Sequence, residues 1–328
     1  MAEKRARAMK PQAKPLDVEE LHAENFWGLT MPLHVLVGNS NARKATRNLH
    51  CHISSGEFPD GSFVRLGSGL VVSSPELCFL QMASELPLVD LIALGYELCG
   101  GYRLVEDREE GKGYRAGSPM DSAGIPPGIE AGKQEMGFRK DLPVTSVGSL
   151  VSYASKATGL KGYKNTLKAL RFIADGSNSP METILAILFV LPYRLGGYGF
   201  PKPLLNHRIE VPISARKAAG KSKYYCDMYW PIGKVAVEYD SDAYHTGPDR
   251  IAQDAIRRNI LSGMGITVVT VSRRQVMETP KMYGVAVLLS KLLGKRLQYP
   301  AKEFTYRHAK LREQLLPKRS ASGYSYTD

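Results

Sequence analysis

The segment from Ser179 to Val276 carries an order of secondary-structure signals that few folds accommodate. Ser179 and Pro180 precede an apolar run and predict a helix, because Ser is a favoured N-cap and Pro a favoured first helical residue. Strand-like sequence follows at 206–211, 222–229 and 234–240, then a polar helix at 248–264, the β-branched strand ITVVTVS and a helix at 279–293. This order predicts an α/β sandwich with a mixed sheet, in which antiparallel strands precede one crossover into a parallel partner.

Acidic residues stand on two of these strands, on either side of a turn near Gly233. Asp227 lies in YYCDMYW, and Glu238 and Asp240 lie in KVAVEYD. If the two strands pair as a hairpin, Asp227 and Glu238 end near each other, and Asp240 shares a strand face with Glu238. Carboxylates are the ligands that Mg²⁺ prefers in proteins. We therefore expect these three residues to form a metal site suited to phosphodiester hydrolysis.

This region resembles the PD-(D/E)XK nuclease superfamily, and within it the very-short-patch-repair-like branch known as domain of unknown function 559. That branch has an acid in a strand, a second strand ending Glu-x-Asp, a His, and a helix with Asp-x-x-Arg-x-x-x-Leu-x-x-x-Gly. Its pattern is matched here by Asp227, Glu238, Asp240, His245, Asp254, Arg257, Leu261 and Gly265. The resemblance implies a restriction-endonuclease-like fold, a Mg²⁺ or Mn²⁺ cofactor, and catalytic roles for Asp227, Glu238, Asp240, His245 and Glu182.

The match has two departures, and several of its residues have a second interpretation. Asp240 stands where the superfamily has a lysine, and Ser241 where a glycine is usual. Glu182 assists metal binding in the family, but it also completes a helix capping box with the N-cap serine. His245 is either a general acid or base or an inert loop residue. Arg257 either stabilises a phosphate or forms an ion pair along its helix with Asp254.

Charge favours a nucleic-acid partner, because the formal net charge is +12 and each cation near a phosphate releases counterions. A basic helix is predicted near residues 161–171, and its cations recur at three- and four-residue steps. The candidate nucleic-acid-binding residues are Lys161, Lys164, Lys168, Arg171, Arg257 and Arg258. A solvated helix face is the alternative interpretation of the first four.

Composition changes along the chain predict five segments. These are a flexible basic arm at 1–20, a small α+β domain at 21–104, a linker or long loop at 105–144, the nuclease-like domain at 145–296, and a basic helix and tail without structure at 297–328. Residues 30–104 loosely resemble the abortive-infection antitoxin family.

Cysteine usage and hydropathy indicate a reduced cytoplasmic protein. The four cysteines form no CxxC pair, and no run of about eighteen apolar residues occurs, so neither a zinc ribbon nor a membrane span is expected. His50, Cys51 and His52 are adjacent, but strand alternation would turn Cys51 away from the two histidines. The sequence leaves open whether the chain forms a homodimer or binds another protein.

The leading hypothesis is an endonuclease acting on DNA, in defence or repair. A catalytically silent nucleic-acid-binding regulator of the antitoxin type is the alternative, suggested by the antitoxin-like segment and the missing lysine. A protein-interaction module whose acids only shape a surface is a third hypothesis.

Overall fold

A computed structural model of the chain describes residues 32–43, 46–54, 56–66, 70–105, 137–240, 248–297, 302–316, 319–320 and 323–324. The chain divides into two compact units, Met1–Phe58 and Pro59–Asp328. This division falls inside the segment 21–104 that was expected to form one small domain. The five-segment organisation stays a prediction.

The first unit contains a parallel pair of strands, β1 (Leu33–Val37) and β2 (Leu49–Ile53). Alternation along β2 buries Cys51 and leaves His50 and His52 exposed, as predicted. His34 of β1 joins the two histidines: its Nδ1 lies 2.8 Å from Nε2 of His52, and the two rings stack. These imidazoles therefore form hydrogen-bonded and stacking contacts with one another.

The second unit begins with two hairpins and a group of helices. In chain order these are β3 (Phe63–Arg65), β4 (Val71–Ser73), α1 (Pro75–Met82), α2 (Leu88–Leu98), β5 (Tyr102–Leu104), β6 (Phe138–Lys140), α3 (Val147–Lys156) and α4 (Tyr163–Leu170). Strand β3 pairs antiparallel with β4, and β5 pairs antiparallel with β6. Helix α1 begins as expected, because the Ser74 side chain accepts a hydrogen bond from the N–H of Leu77 at 3.2 Å.

The main sheet follows. The strands of this sheet and the helices around them are, in chain order, α5 (Pro180–Val190), β7 (Leu204–Glu210), α6 (Arg216–Ala219), β8 (Lys223–Trp230), β9 (Val235–Asp240), α7 (Pro248–Gly263), β10 (Thr267–Ser272), α8 (Arg273–Met277) and α9 (Thr279–Leu292). The strand order is β10-β9-β8-β7; β8 is antiparallel to both neighbours, and β10 is parallel to β9. The expected mixed α/β class and the parallel crossover are confirmed.

Helix α5 forms the centre of the main core, because every one of its residues is buried. Val235 and Val237 of β9 pack in the same apolar cluster as α5. Ala236 between them packs with Leu261 of α7 instead. Because successive side chains of a strand point to opposite faces, α5 and α7 cover opposite faces of the sheet.

Two outer segments differ from expectation. Strand β6 lies within the predicted linker at 105–144, where it pairs with β5. The predicted basic helix is α10 (Lys302–Leu315), and it precedes an antiparallel pair, β11 (Arg319–Ser320) and β12 (Gly323–Tyr324), where no structure was expected. Among the helices that the structure describes, none is long and apolar enough to cross a membrane.

Candidate active site

The hairpin of β8 and β9 carries the two carboxylates expected to bind metal. The paired register of these strands reaches Met228 opposite Val237, so Asp227 and Glu238 occupy the next opposing positions. There the carboxylate of Asp227 replaces a backbone acceptor, because the N–H of Tyr239 donates to its Oδ2 at 2.8 Å. The expected antiparallel pairing of the two strands is confirmed, and a cation shared by the carboxylates of Asp227 and Glu238 stays a prediction.

Strand β7 is interrupted at the same level of the sheet. Leu205 pairs with Met228 and His207 with Cys226, but the intervening Asn206 has a φ of 44° and leaves the ladder. Asn tolerates this left-handed conformation better than most residues. The Asn206 amide consequently points away from the ladder and donates both to the carbonyl of Gly176, at 2.7 Å, and to a carboxylate of α5.

That carboxylate belongs to Glu182, in the first turn of α5. Its Oε2 accepts hydrogen bonds from the Asn206 side chain and from the N–H of Asn178, both at 2.8 Å. The Ser179 hydroxyl caps α5 by accepting from the N–H of Glu182, at 3.2 Å, and donates to Oε1 at 3.1 Å. The expected capping box is therefore modified: Glu182 accepts from the amide preceding the N-cap residue rather than from that of Ser179.

Burial raises the pKa of all three acids, and the charge of Asp227 adds to the rise at the two glutamates. Burial, with a smaller contribution from Asp227, raises the pKa of Glu182 to about 7. Burial also raises the pKa of Glu238 to about 7, an effect that Arg257 opposes and Asp227 reinforces. Burial raises the pKa of Asp227 itself, against the hydrogen bond from Tyr239. The negative charge of Asp227 thus disfavours the charged forms of both Glu182 and Glu238.

Arg257 of α7 neutralises one of these acids. Its Nη1 donates to Oε2 of Glu238 at 2.9 Å, its Nη2 pairs with Oε1, and the same nitrogen reaches the carbonyl of Tyr225. The guanidinium also lies over the ring of Tyr224, 5.6 Å from its centroid. The alternative interpretation, an ion pair between Arg257 and Asp254 along the helix, is wrong. The acid that Arg257 binds is Glu238, which lies on the sheet.

The other residues of the family pattern are less enclosed. Asp240 ends β9 and is exposed, and it lies on the Glu238 side of the strand, because Tyr239 between them packs against the main core. Arg258 is exposed and donates to the carbonyl of Asp254 at 3.3 Å. Residues 241–247, which include His245 and Ser241, lie outside the described residues.

The candidate basic surface lies on and beside α4. Helix α4 starts at Tyr163, so Lys161 precedes it, and its ammonium pairs with Glu85 at 3.0 Å. The remaining members, Lys164, Lys168 and Arg171, are exposed at helix positions or at its end. Helix α4 packs on α1, α2 and α3, and its buried Ala169 and Leu170 join the main core, while these cations face solvent.

Two residues of the site were not anticipated from the sequence. Asn206 interrupts the apolar pattern of its strand, which was a usable signal for an irregular position. Lys140 of β6 lies against the loop before α5, donating from Nζ to the carbonyl of Asn178 at 2.5 Å. No local pattern pointed to it, because its placement depends on pairing between distant parts of the chain.

The residues present fit a cation held by few protein ligands. Within the described ranges, no group of three or more His, Cys, Asp or Glu side chains is arranged to hold a metal ion. Mg²⁺, however, commonly takes one or two carboxylates and keeps its waters. Oε1 of Glu238 is buried and meets Arg257 as an ion pair without an aligned hydrogen bond, and Glu238 and Asp227 are the two carboxylates that would hold such an ion.

Comparisons with known proteins identify no relative of this chain. No family model matches the chain, and no curated protein or solved structure matches it either. The family resemblance therefore rests on the motif residues quoted above.

Proposed function

We propose that this chain is a metal-dependent endonuclease with a restriction-endonuclease-like α/β sandwich of the PD-(D/E)XK type, which hydrolyses phosphodiester bonds in DNA. The element order around the mixed sheet supports this proposal, as do acids at the positions that the family motif requires. The formal net charge of +12 agrees with a polyanionic substrate.

One observation carries the proposal: the buried carboxylate of Asp227, at an irregular point of the sheet, interacts with two further buried carboxylates, one from α5 and one from β9. Glu182 comes from α5, Asp227 from β8 and Glu238 from β9, and burial raises the pKa of each. Burying like charges together is unfavourable unless a cation compensates. Arg257 compensates only Glu238 directly, so the arrangement favours an additional cation.

Asp227 and Glu238 would hold the Mg²⁺ or Mn²⁺ ion, with Asp240 as a further ligand or as a group that positions water. When bound, such an ion polarises a phosphoryl oxygen and lowers the pKa of the attacking water. In the net reaction one phosphorus–oxygen bond forms to water and the bond to the leaving oxygen breaks. The leaving oxygen takes one proton of the water, and the other proton is released from the new phosphate.

The chain itself orients these groups. The N–H of Tyr239 fixes the carboxylate of Asp227. Asn206 and the N–H of Asn178 fix Glu182 next to that carboxylate, where it would hold water in the site. This preorganisation means that little reorientation of the ligands is needed when substrate binds.

The proposal is tested by incubating the purified protein with plasmid DNA, single-stranded DNA and RNA in Mg²⁺ or Mn²⁺. Asp227→Asn and Glu238→Gln should each slow cleavage at least about a thousandfold, because each removes a hard ligand while preserving shape. Binding of the nucleic acid should remain. The matched control is Glu210→Gln, an exposed acid on β7 paired with Arg208, which should cleave like wild type.

Wild-type protein that never cuts any of these substrates would overturn the enzyme. A Glu238→Gln variant as active as wild type would overturn the assignment of the site. Salt-sensitive binding without cleavage would instead favour the second candidate function, a silent nucleic-acid-binding regulator. The Arg257–Glu238 ion pair favours that candidate, because it already neutralises one proposed metal ligand.

A further inference from the structure

Strand β6 brings a positive charge to the acidic site from a part of the chain that precedes the whole sheet domain. We propose that the Lys140 ammonium contacts the phosphate that is cleaved. This role rests on the proposed endonuclease function and adds a substrate-contacting residue to it.

The position of Lys140 is fixed by a short chain of contacts. Its Nζ donates to the carbonyl of Asn178 at 2.5 Å, and the N–H of the same residue donates to Oε2 of Glu182 at 2.8 Å. The β5–β6 hairpin is anchored to this loop as well, because the N–H of Gly101 donates to the carbonyl of Ser177 at 2.7 Å. One residue, Asn178, therefore links the ammonium to the first acid of the site.

The charge of Lys140 reaches two acids. Burial raises the pKa of Glu182 and of Asp227, and Lys140 offsets part of that rise at both. A phosphodiester entering this site brings another negative charge into the same region. A cation beside Glu182 and Asp227 counters that repulsion, which otherwise opposes substrate binding at an acidic centre.

Lys140 also retains donors for a substrate. An ammonium has three N–H donors, and the acceptor in the described chain is one carbonyl, that of Asn178. The Phe138 ring, 5.7 Å from Nζ, supports the side chain from its own strand. The residue is exposed, so an anion reaches the remaining donors from solvent.

The other nearby cation is committed elsewhere. Arg257 binds Glu238 and the carbonyl of Tyr225. At the position where the resembled family has its lysine, this chain has Asp240. Lys140 therefore supplies, from a different strand, a positive charge that is not paired with an acid of the site.

The experiment compares Lys140→Met, Lys140→Arg and a matched control, Arg139→Met. Arg139 is adjacent on β6, is exposed and pairs with Asp141 at 3.4 Å, and strand alternation turns it to the other face. Single-turnover cleavage in Mg²⁺ and Mn²⁺ binding without nucleic acid are measured for each, after circular dichroism has established folding.

Lys140→Met should cleave about a hundredfold more slowly, as expected when a preorganised charge is removed from a transition state. The same variant should bind Mn²⁺ about two- to fivefold more tightly, because a cation that repels the metal is gone. Lys140→Arg should retain most activity, and Arg139→Met should match wild type in both measurements. These opposite effects on cleavage and metal binding separate a phosphate contact from a merely structural lysine.

Lys140→Met that cleaves like wild type would overturn this role and leave the endonuclease standing. Weaker Mn²⁺ binding by Lys140→Met would also overturn it, since a structural lysine then explains the loss. If Lys140→Met does not fold, Lys140→Gln is measured in its place: slower cleavage with Mn²⁺ binding no weaker than that of wild type supports the phosphate contact, and cleavage like wild type contradicts it. A wild type without cleavage would remove the proposed function and this role together.

Discussion

The apolar face of the four-stranded sheet and its acidic end use the same strands but bury opposite kinds of groups. On the apolar face, α5 packs its side chains against Val235 and Val237. At the acidic end, the first turn of the same helix buries Glu182 beside Asp227. The apolar face gains stability from burial under all conditions, whereas the acidic end loses stability by burial until protons or a cation arrive. The acidic end is thus built at the expense of local stability.

The largest effect should come from truncating the apolar face. Phe189 is fully buried, and its ring lies 5.9 Å from that of Phe200 and 6.2 Å from that of Trp230. Phe189→Ala should lower the free energy of unfolding by about 3–5 kcal/mol, through lost contacts and a cavity. Urea denaturation should give the same loss with and without Mg²⁺. Phe189→Leu, which keeps most of the volume, should lose far less; a metal-dependent loss would mean that the two regions are coupled.

Acid should stabilise the acidic end. Glu182 and Glu238 have folded pKa values of about 7 against an ordinary value of 4.5, so the folded state holds more protons between those limits. Stability from these groups is fully present below about pH 4.5 and is lost as pH rises to about 7, by on the order of 2–3 kcal/mol for each group.

The measurement for this prediction is the metal-free unfolding free energy of wild type and Glu238→Gln from pH 4.5 to pH 8. Burial lowers the pKa of His308, which acts in the opposite direction, but that effect is common to both proteins. The difference between them should grow with pH in favour of the variant. A constant difference would show that Glu238 does not titrate in this range.

Metal should stabilise the same end at neutral pH. Because a cation bound only by the folded state shifts the unfolding equilibrium, Mg²⁺ at about tenfold its Kd should add about 1.4 kcal/mol. Thermal unfolding at pH 7.5 should therefore occur at a higher temperature with Mg²⁺ than with EDTA. Asp227→Asn should lose this shift, while Glu210→Gln should keep it; an equal shift in Asp227→Asn would place the metal elsewhere.

The smallest effect should come from the residue shared by both regions. Ser179 caps α5 and also donates to Glu182, so Ser179→Ala should cost about 1 kcal/mol for the lost cap. Ser146 is a matched control, because it caps α3 by accepting from the N–H of Ser149 at 3.1 Å, and its hydroxyl contacts the Ser149 hydroxyl rather than an acid. Ser179→Ala should shift the pH dependence of unfolding, and Ser146→Ala should not. Identical pH profiles would mean that the cap does not affect Glu182.

The sequence was most informative where structure is local. The helix of α5, the hairpin of Asp227 and Glu238, and the buried strand after Gly265 follow from capping residues, alternation and β-branched runs. The sheet could be predicted because its first three strands are consecutive in the chain and its fourth follows one helix. The restriction-endonuclease-like assignment stays a prediction based on the motif.

The missed features depend on contacts between distant residues. Tyr102 and Lys140 are register partners although a long charged and Gly-rich stretch separates them, so neither spacing nor periodicity reveals the pair. Helical spacing suggested an acid on its own helix as one possible partner of Arg257, whereas the acid that Arg257 binds, Glu238, lies on the sheet. The only sequence signal for Asn206 was that it interrupts an apolar pattern. Its contact with Glu182 joins residues far apart in the chain.

The β5–β6 hairpin has an evolutionary consequence. Its outermost contact runs from the N–H of Val105 to the carbonyl of Gly137 at 3.0 Å. This hydrogen bond holds together the two residues that flank the segment 106–136. Once two ends are joined, doubling the length of the intervening chain costs only about 0.6 kcal/mol of closure entropy. Insertions and deletions between Val105 and Gly137 should therefore accumulate nearly neutrally in related chains, and a reporter sequence grafted there should leave the spacing of Lys140 from the sheet unchanged.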